Sequence, residues 1–247
     1  VTVSGNGFRA NTSINILFNN TNIISTGSNS YGNLDTVTFD VPELPGGNYD
    51  VYGTDGVAAS PDVTFNIRSD LTIDPEQGSV GDQIQIEGTG FDDNSEITIY
   101  WDNEIISQDN IYSNSRGTFS GTIIVPPSSR GNHTIRIRDD IYTTDSATFT
   151  VSPNIILEPN SGVPGRVVQV NGRGFRANAL VDITYSGTHV TTVPSDIQTD
   201  SDGSFSVSFT VPSTVAGNYA VRADDGVYSA TATFSVISNI ELNPSSG

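Results

Sequence analysis

The residues best placed by type and spacing to do chemistry are acids. Asp200-Ser201-Asp202-Gly203 sets two carboxylates one residue apart ahead of a glycine, a spacing that oxygen-ligand loops use for calcium. Asp92-Asp93-Asn94-Ser95-Glu96 is a second acidic cluster. A hairpin turn accounts for the first of these equally well. Gly32, Gly117 and Gly203 fall at equivalent places of a repeat, and acids flank only the last, so a turn needing glycine at positive φ covers all three. Calcium is thus the one cofactor on offer, at Asp200 and Asp202 or at Asp92, Asp93 and Glu96, beside a reading with no cofactor. Asp55-Gly56, Asp139-Asp140 and Asp224-Asp225-Gly226 read as two-residue hairpin turns that could also bridge modules through a cation.

Three triplets, Asn11-Thr12-Ser13, Asn19-Asn20-Thr21 and Asn132-His133-Thr134, have the form of glycosylation acceptors, so Asn11, Asn19 and Asn132 are candidate glycan sites. Such triplets also arise by chance in an Asn-rich chain. Catalysis is not expected. His133 and His189 lie in different repeats, and neither accompanies a repeated serine or acid. Trp101, with Tyr100, could stack on a sugar ring as an adhesive module would. The pair has no counterpart in the other repeats, which favours burial at a strand edge or a junction.

These residues must be positioned by strands. The middle of the chain alternates apolar and polar residues in short runs between Gly, Pro, Asn and Asp: 71–73, 83–87, 96–101, 104–107, 117–125, 134–138 and 144–151. Alternation points Ile84, Ile86, Ile97, Ile99, Ile135 and Ile137 inward. Seven such strands predict an all-β immunoglobulin-like sandwich.

The pattern repeats. Pro75, Gly78, Gly81, Ile84, Ile86, Gly88, Gly90 and Phe91 return as Pro159, Gly162, Gly165, Val168, Val170, Gly172, Gly174 and Phe175, and its second half opens the chain as Val1-Thr-Val3-Ser-Gly5-Asn-Gly7-Phe8. Val-Pro at 41, 125 and 211, Gly-Asn at 47, 131 and 217, and Phe65, Phe149 and Phe234 keep the same register. The prediction is three tandem sandwiches in an elongated rod: 1–68 without its first strand, 71–151, 155–236, and 239–247 as a further first strand. Only two or three residues separate the modules, too few for a flexible linker.

The two ends are complementary in pattern. Val1 and Val3 occupy the places of Ile84 and Ile86, so they form an acceptor edge, while Ile240-Glu241-Leu242 is a first strand with no module after it. Two expectations follow: the chain is a window from a longer array, or the 240–242 strand of one copy completes the first module of the next, head to tail.

Composition narrows the function. The 247 residues carry a formal charge of −18, with 13 acids against 4 Arg in 71–153, a surface that repels nucleic acid. There is no cysteine and no lysine, which removes disulfides, thiol nucleophiles and Lys–Asn cross-links. No apolar run approaches the ~18 residues of a membrane helix, so membrane insertion is not expected. Neither Met nor a charged-then-apolar leader precedes Val1, which reads as a processed product or an excerpt.

The motif Pro-x-x-Gly-x-x-Gly-x-x-φ-x-φ-x-Gly-x-Gly-Phe, with its later Val-Pro, Gly-Asn-Tyr and final Phe strand, resembles the IPT/TIG-like immunoglobulin repeats of prokaryotic surface, S-layer-type and fibre proteins. The resemblance implies an extracellular, cell-surface structural role in a filament, stalk or layer. The expected partners, from the complementary ends, are further copies or flanking repeats, with a glycan at Trp101 and Tyr100 for the adhesin alternative. The signature residues shape turns and carry no chemistry.

Overall fold

The structure is a computed structural model that describes residues 1–106 and 110–240. It is all-β, and among the described residues no helix is long and apolar enough to cross a membrane.

In the middle module one sheet joins Asp70–Asp74, Gln83–Thr89 and Phe119–Ile124, all antiparallel. The facing sheet runs Glu104–Ile105, Glu96–Trp101, Gly131–Arg138, Thr144–Val151, then Gln77–Gly78. Strict alternation decides what faces inward. Along Gln83–Thr89 every second side chain is buried, and Ile84, Ile86, Ile123, Ile135 and Phe149 are fully enclosed. Burying each such side chain contributes about 1.5–3 kcal/mol. The third module repeats the plan, with Asn154–Glu158, Val167–Arg173, Phe205–Thr210 and Thr192–Val193 against Ser161–Gly162, Ser229–Val236, Gly217–Asp224, Asp182–Tyr185 and Thr188–His189.

One element went unforeseen. After the first strand of these two modules the chain crosses to the other sheet, and Gln77–Gly78 and Ser161–Gly162 pair parallel with the last strand. A two-residue strand has no readable period, so alternation could not reveal it.

The first module differs. Among the described residues its Thr2–Gly5 strand pairs only with Leu34–Thr38, and its second sheet ends at Val63–Ile67. Among the described residues Ile14, Ile16 and Leu34 form one buried cluster and Phe18 is enclosed beside Phe39, Tyr49 and Phe65, while Val3, Phe8 and Val51 are partly open. The other two clusters are far larger, extending from Leu71 to Val151 and from Ile155 to Val236.

The expected two-residue Asp-Gly hairpins are corrected. The strands on either side stop at Arg138 and resume at Thr144, and stop at Asp224 and resume at Ser229, leaving longer loops closed around a buried aspartate. The expected run at 104–107 is a strand only over Glu104–Ile105; residue 107 lies outside the described residues.

Candidate functional site

A groove of about 570 Å³ opens along the free edges of the first module, lined by Val1, Val3, Phe8, Val51, Val63 and Phe65 among others. Several wall residues have counterparts that are buried in the other modules. Val1 is 51% exposed, whereas Ile84 and Val168 at the same register are fully buried. Phe65 is half-buried, whereas Phe149 and Phe234 are fully buried. In the other modules the strands Asp70–Asp74 and Asn154–Glu158 lie over this place, pairing Leu71 with Gly88 and Ile155 with Gly172. Val1 and Val3, the expected acceptor edge, stand at the register of Ile84 and Ile86, on the side those strands take in the other modules.

At the predicted assembly strand, Ile240 is 88% exposed and outside any sheet. Glu241 and Leu242 lie outside the described residues.

The junctions between modules are built alike. The N–H of Gly46 donates to the Phe91 carbonyl at 3.2 Å, and the N–H of Arg130, at the equivalent place, donates to the Phe175 carbonyl at 2.9 Å. The glycine turn explains the close approach. At Gly117, φ is +69°, and a Cβ would stand 2.1 Å from the Phe91 oxygen and 2.8 Å from Pro45 Cα. Side chains then distinguish the two junctions. Glu43 pairs with Arg116 at 3.3 Å across the first, both largely exposed, and the Arg130 guanidinium lies 3.3 Å from the centre of the Tyr228 ring across the second.

Within each module a buried aspartate ties the last hairpin to the Gly-Phe loop. Asp55 accepts the N–H groups of Val57 and Ala58 and the Nε of Arg9 at 2.9 Å. Those backbone donors, with Arg9, hold its carboxyl far below the ordinary aspartate range. Asp225 does the same with Val227, Tyr228 and Arg176. Its burial pushes the carboxyl up, but the N–H groups of Arg176, Tyr228 and Val227 and the Arg176 charge outweigh this and leave it lowered. In the middle module Asp139 accepts the N–H groups of Ile141, Thr143 and Asp92. The position of Arg9 and Arg176 is there held by Asp92. The sequence signal was present as Gly-Phe-Arg at 7–9 and 174–176, yet only the fold reveals its distant carboxylate partner.

Among the acidic candidates the Asp200 carboxylate has a turn role, while Asp92 and Glu96 bond through their backbone N–H groups. Asp200 Oδ1 accepts the N–H groups of Asp202 and Ser204, as Asn29 does for Tyr31 and Asn33 and Asn114 for Arg116 and Thr118. Asp92 donates its N–H to Asp139, Asp93 accepts from the Asn94 amide, and Glu96 donates its N–H to Asp140. Among the described residues no three His, Cys, Asp or Glu side chains gather where they could hold a metal ion. Asn11, Asn19 and Asn132 are all exposed. Asn11 and Asn19 sit at positive φ in turns, and Asn132 accepts from the Thr150 hydroxyl at 2.9 Å.

Trp101 is only 5% exposed and is no platform for a sugar. Its ring stacks on His133 at 5.2 Å, as Tyr185 stacks on Tyr219 and Phe18 packs on Tyr49. His133 Nε2 lies 2.8 Å from the Ser129 carbonyl, the contact that the hydroxyls of Tyr49 and Tyr219 make to Pro45 and Val215. Its Nδ1 lies 2.9 Å from Asp102. Burial raises the Asp102 carboxyl, but hydrogen bonds from His133 and the Thr134 N–H leave it lowered overall.

No curated protein matches the chain. Among solved structures it is similar to the Yersinia pseudotuberculosis adhesin InvE, at 12% identity and a TM-score of 0.33, over 68% of this chain and 58% of that one. It is also similar to a tetra-tandem repeat in the extending region of a large adhesion protein, at 16% identity and 0.32, over 96% and 70%. A third is the Bacteroides ovatus glucan-utilization protein SGBP-B in complex with a mixed-linkage heptasaccharide, at 13% and 0.32, over 92% and 64%. The chain thus spans little more than half of the InvE structure. Residues 71–151 match the family described as the IPT/TIG domain. That match spans the middle module, and the modules on either side repeat its landmarks.

Proposed function

We propose that the chain is a segment of an extracellular stalk, filament or surface layer in which immunoglobulin-like modules stack head to tail. The observation that carries this reading is the junction. The same backbone hydrogen bond, Gly46 to Phe91 and Arg130 to Phe175, recurs at both, so one packing geometry propagates along the chain. Backbone contacts of this kind set spacing between modules and transmit load without asking for particular side chains. The acidic surface, at −18, favours solubility and keeps laterally neighbouring rods apart.

The adhesin alternative would need a ligand surface, and the aromatic residue with the best claim to one, Trp101, is enclosed. Immunogold labelling of intact cells that make the protein tests the proposal. Label along filaments, stalks or a surface layer supports it, and label confined to the cell interior overturns it.

A further inference from the structure

One turn recurs along the chain, and one copy of it departs from the glycine that the others share. At residues 29–33, 114–118 and 200–204 the side-chain Oδ1 of the first residue accepts the N–H groups two and four places on, and the fourth residue is a glycine at φ between +69° and +74°. Residues 139–143 make the same turn around Asp139, with Tyr142 in the glycine's place at φ +70°. A left-handed backbone is unfavourable for so bulky a residue. Burial does not compensate, because Tyr142 is 75% exposed. Strain that packing does not require points to a side chain kept for a contact outside the fold.

The turn borders the outer face of the larger sheet. Arg136 and Arg138 point outward there because Ile135 and Ile137 between them point in and are fully buried. The Arg136 guanidinium lies over the Tyr100 ring, 3.7 Å from its centre, and that of Arg138 lies between Tyr100 and Tyr142, at 5.3 and 5.2 Å. Their cross-strand neighbours are Thr98, Tyr100, Thr144 and Ser146, none of them acidic. Among the described residues neither guanidinium makes an ion pair or a hydrogen bond. The same two places hold Tyr52 and Thr54 in the first module, and Arg222 and Asp224, which pair with each other, in the third. Two adjacent cations without a carboxylate are thus a feature of the middle module alone, in a chain whose charge is −18.

We infer that this face binds an acidic polysaccharide, one that carries uronate carboxylates. A guanidinium held over a ring keeps its N–H groups available to a planar anion, and a carboxylate takes two of them at once. Arg136 and Arg138 hold the carboxylates, the Tyr142 ring packs on the apolar face of a sugar, and the hydroxyls of Thr144 and Ser146 are within the same face for sugar hydroxyls. A nucleic acid offers rings and anions too, but its continuous phosphate charge is repelled by the acidic surface around the patch. The site gives the rod a ligand along its side, which goes beyond the stacking proposed above and does not depend on it.

Binding of the full chain to immobilised hyaluronan, dextran and single-stranded DNA tests this. Saturable binding to hyaluronan, weakened by salt, is expected, with none to the uncharged dextran. Arg136→Gln and Arg138→Gln each weaken it roughly tenfold, as loss of a charge-assisted hydrogen bond implies. Tyr142→Gly weakens it as well but leaves the Tm at or near that of the wild type, since Gly32, Gly117 and Gly203 already fill that place in the turn. No binding to hyaluronan overturns the inference, as does binding that the three substitutions leave unchanged. Equal binding to single-stranded DNA also overturns it, because the patch then attracts any polyanion. A Tm that falls by several degrees in Tyr142→Gly does the same, because the ring then serves the fold. None of these results alters the surface labelling, so the two readings fail separately.

Discussion

The backbone N–H of Asp92 donates to the buried Oδ2 of Asp139 at 2.9 Å, in the place where Arg9 and Arg176 bring both an N–H and a guanidinium to Asp55 and Asp225. The middle module keeps the backbone half of this tie and has a carboxylate where its neighbours have a cation.

Asp92→Arg should therefore stabilise the middle module. The arginine head stays half in water, as Arg9 does, so the gain is about 0.5–1 kcal/mol and not more. Fluorescence of Trp101, the one tryptophan and buried in that module, follows its unfolding in urea. A lower midpoint than wild type would sink the idea.

The lowered carboxyl of Asp225 makes a pH prediction. Its pKa lies below the ordinary value near 3.8, so the stability it contributes is fully present above that value and is lost as the pH falls through the folded pKa. The urea midpoint difference between wild type and Asp225→Asn should be constant from pH 7 to about pH 5 and shrink below about pH 4. A difference that grows on acidification reverses the sign and rejects it.

His133 replaces a tyrosine whose hydroxyl reaches a carbonyl four residues back. His133→Tyr should restore the Tyr49 arrangement and cost little, while His133→Ala removes the ring on Trp101 and the contact to Ser129, costing about 2 kcal/mol. Equal losses in the two variants would show that the stack contributes nothing.

The Tyr185 hydroxyl is buried without a hydrogen-bond partner among the described residues. The equivalent residue of the first module is Phe18, fully enclosed. Tyr185→Phe is expected to be neutral to stabilising, by up to about 1 kcal/mol. A calorimetric Tm that drops by several degrees would mean the hydroxyl is satisfied in solution.

Asp200→Asn tests calcium against the turn. Asn29 and Asn114 fill the same turn position with the same two backbone bonds, so stability should stay within about 0.5 kcal/mol of wild type. If millimolar calcium raises the Tm of the wild type but not of the variant, the carboxylate is a ligand.

Local pattern made much of this readable. Ile84, Ile86, Ile135 and Ile137 are inward because a pleated strand with one wet face must alternate, and the structure buries each completely. Gly117 was readable as a turn, and at its φ of +69° a Cβ would stand 2.1 Å from the Phe91 oxygen. The sequence alone, then, determined strand faces, the glycine turns and the repeat, since each shows in local spacing, whereas the hairpins before the last strands came out longer than the Asp-Gly pairs implied. Tertiary structure decided the rest. It enclosed Trp101, chose Asp139 and Asp225 as hairpin anchors, sent Gln77–Gly78 across to the second sheet, and set Gly46 on the Phe91 carbonyl. Each of those joins residues far apart in the chain, and which distant group satisfies a buried carboxylate or a free sheet edge is fixed only when the packed modules leave it a single partner.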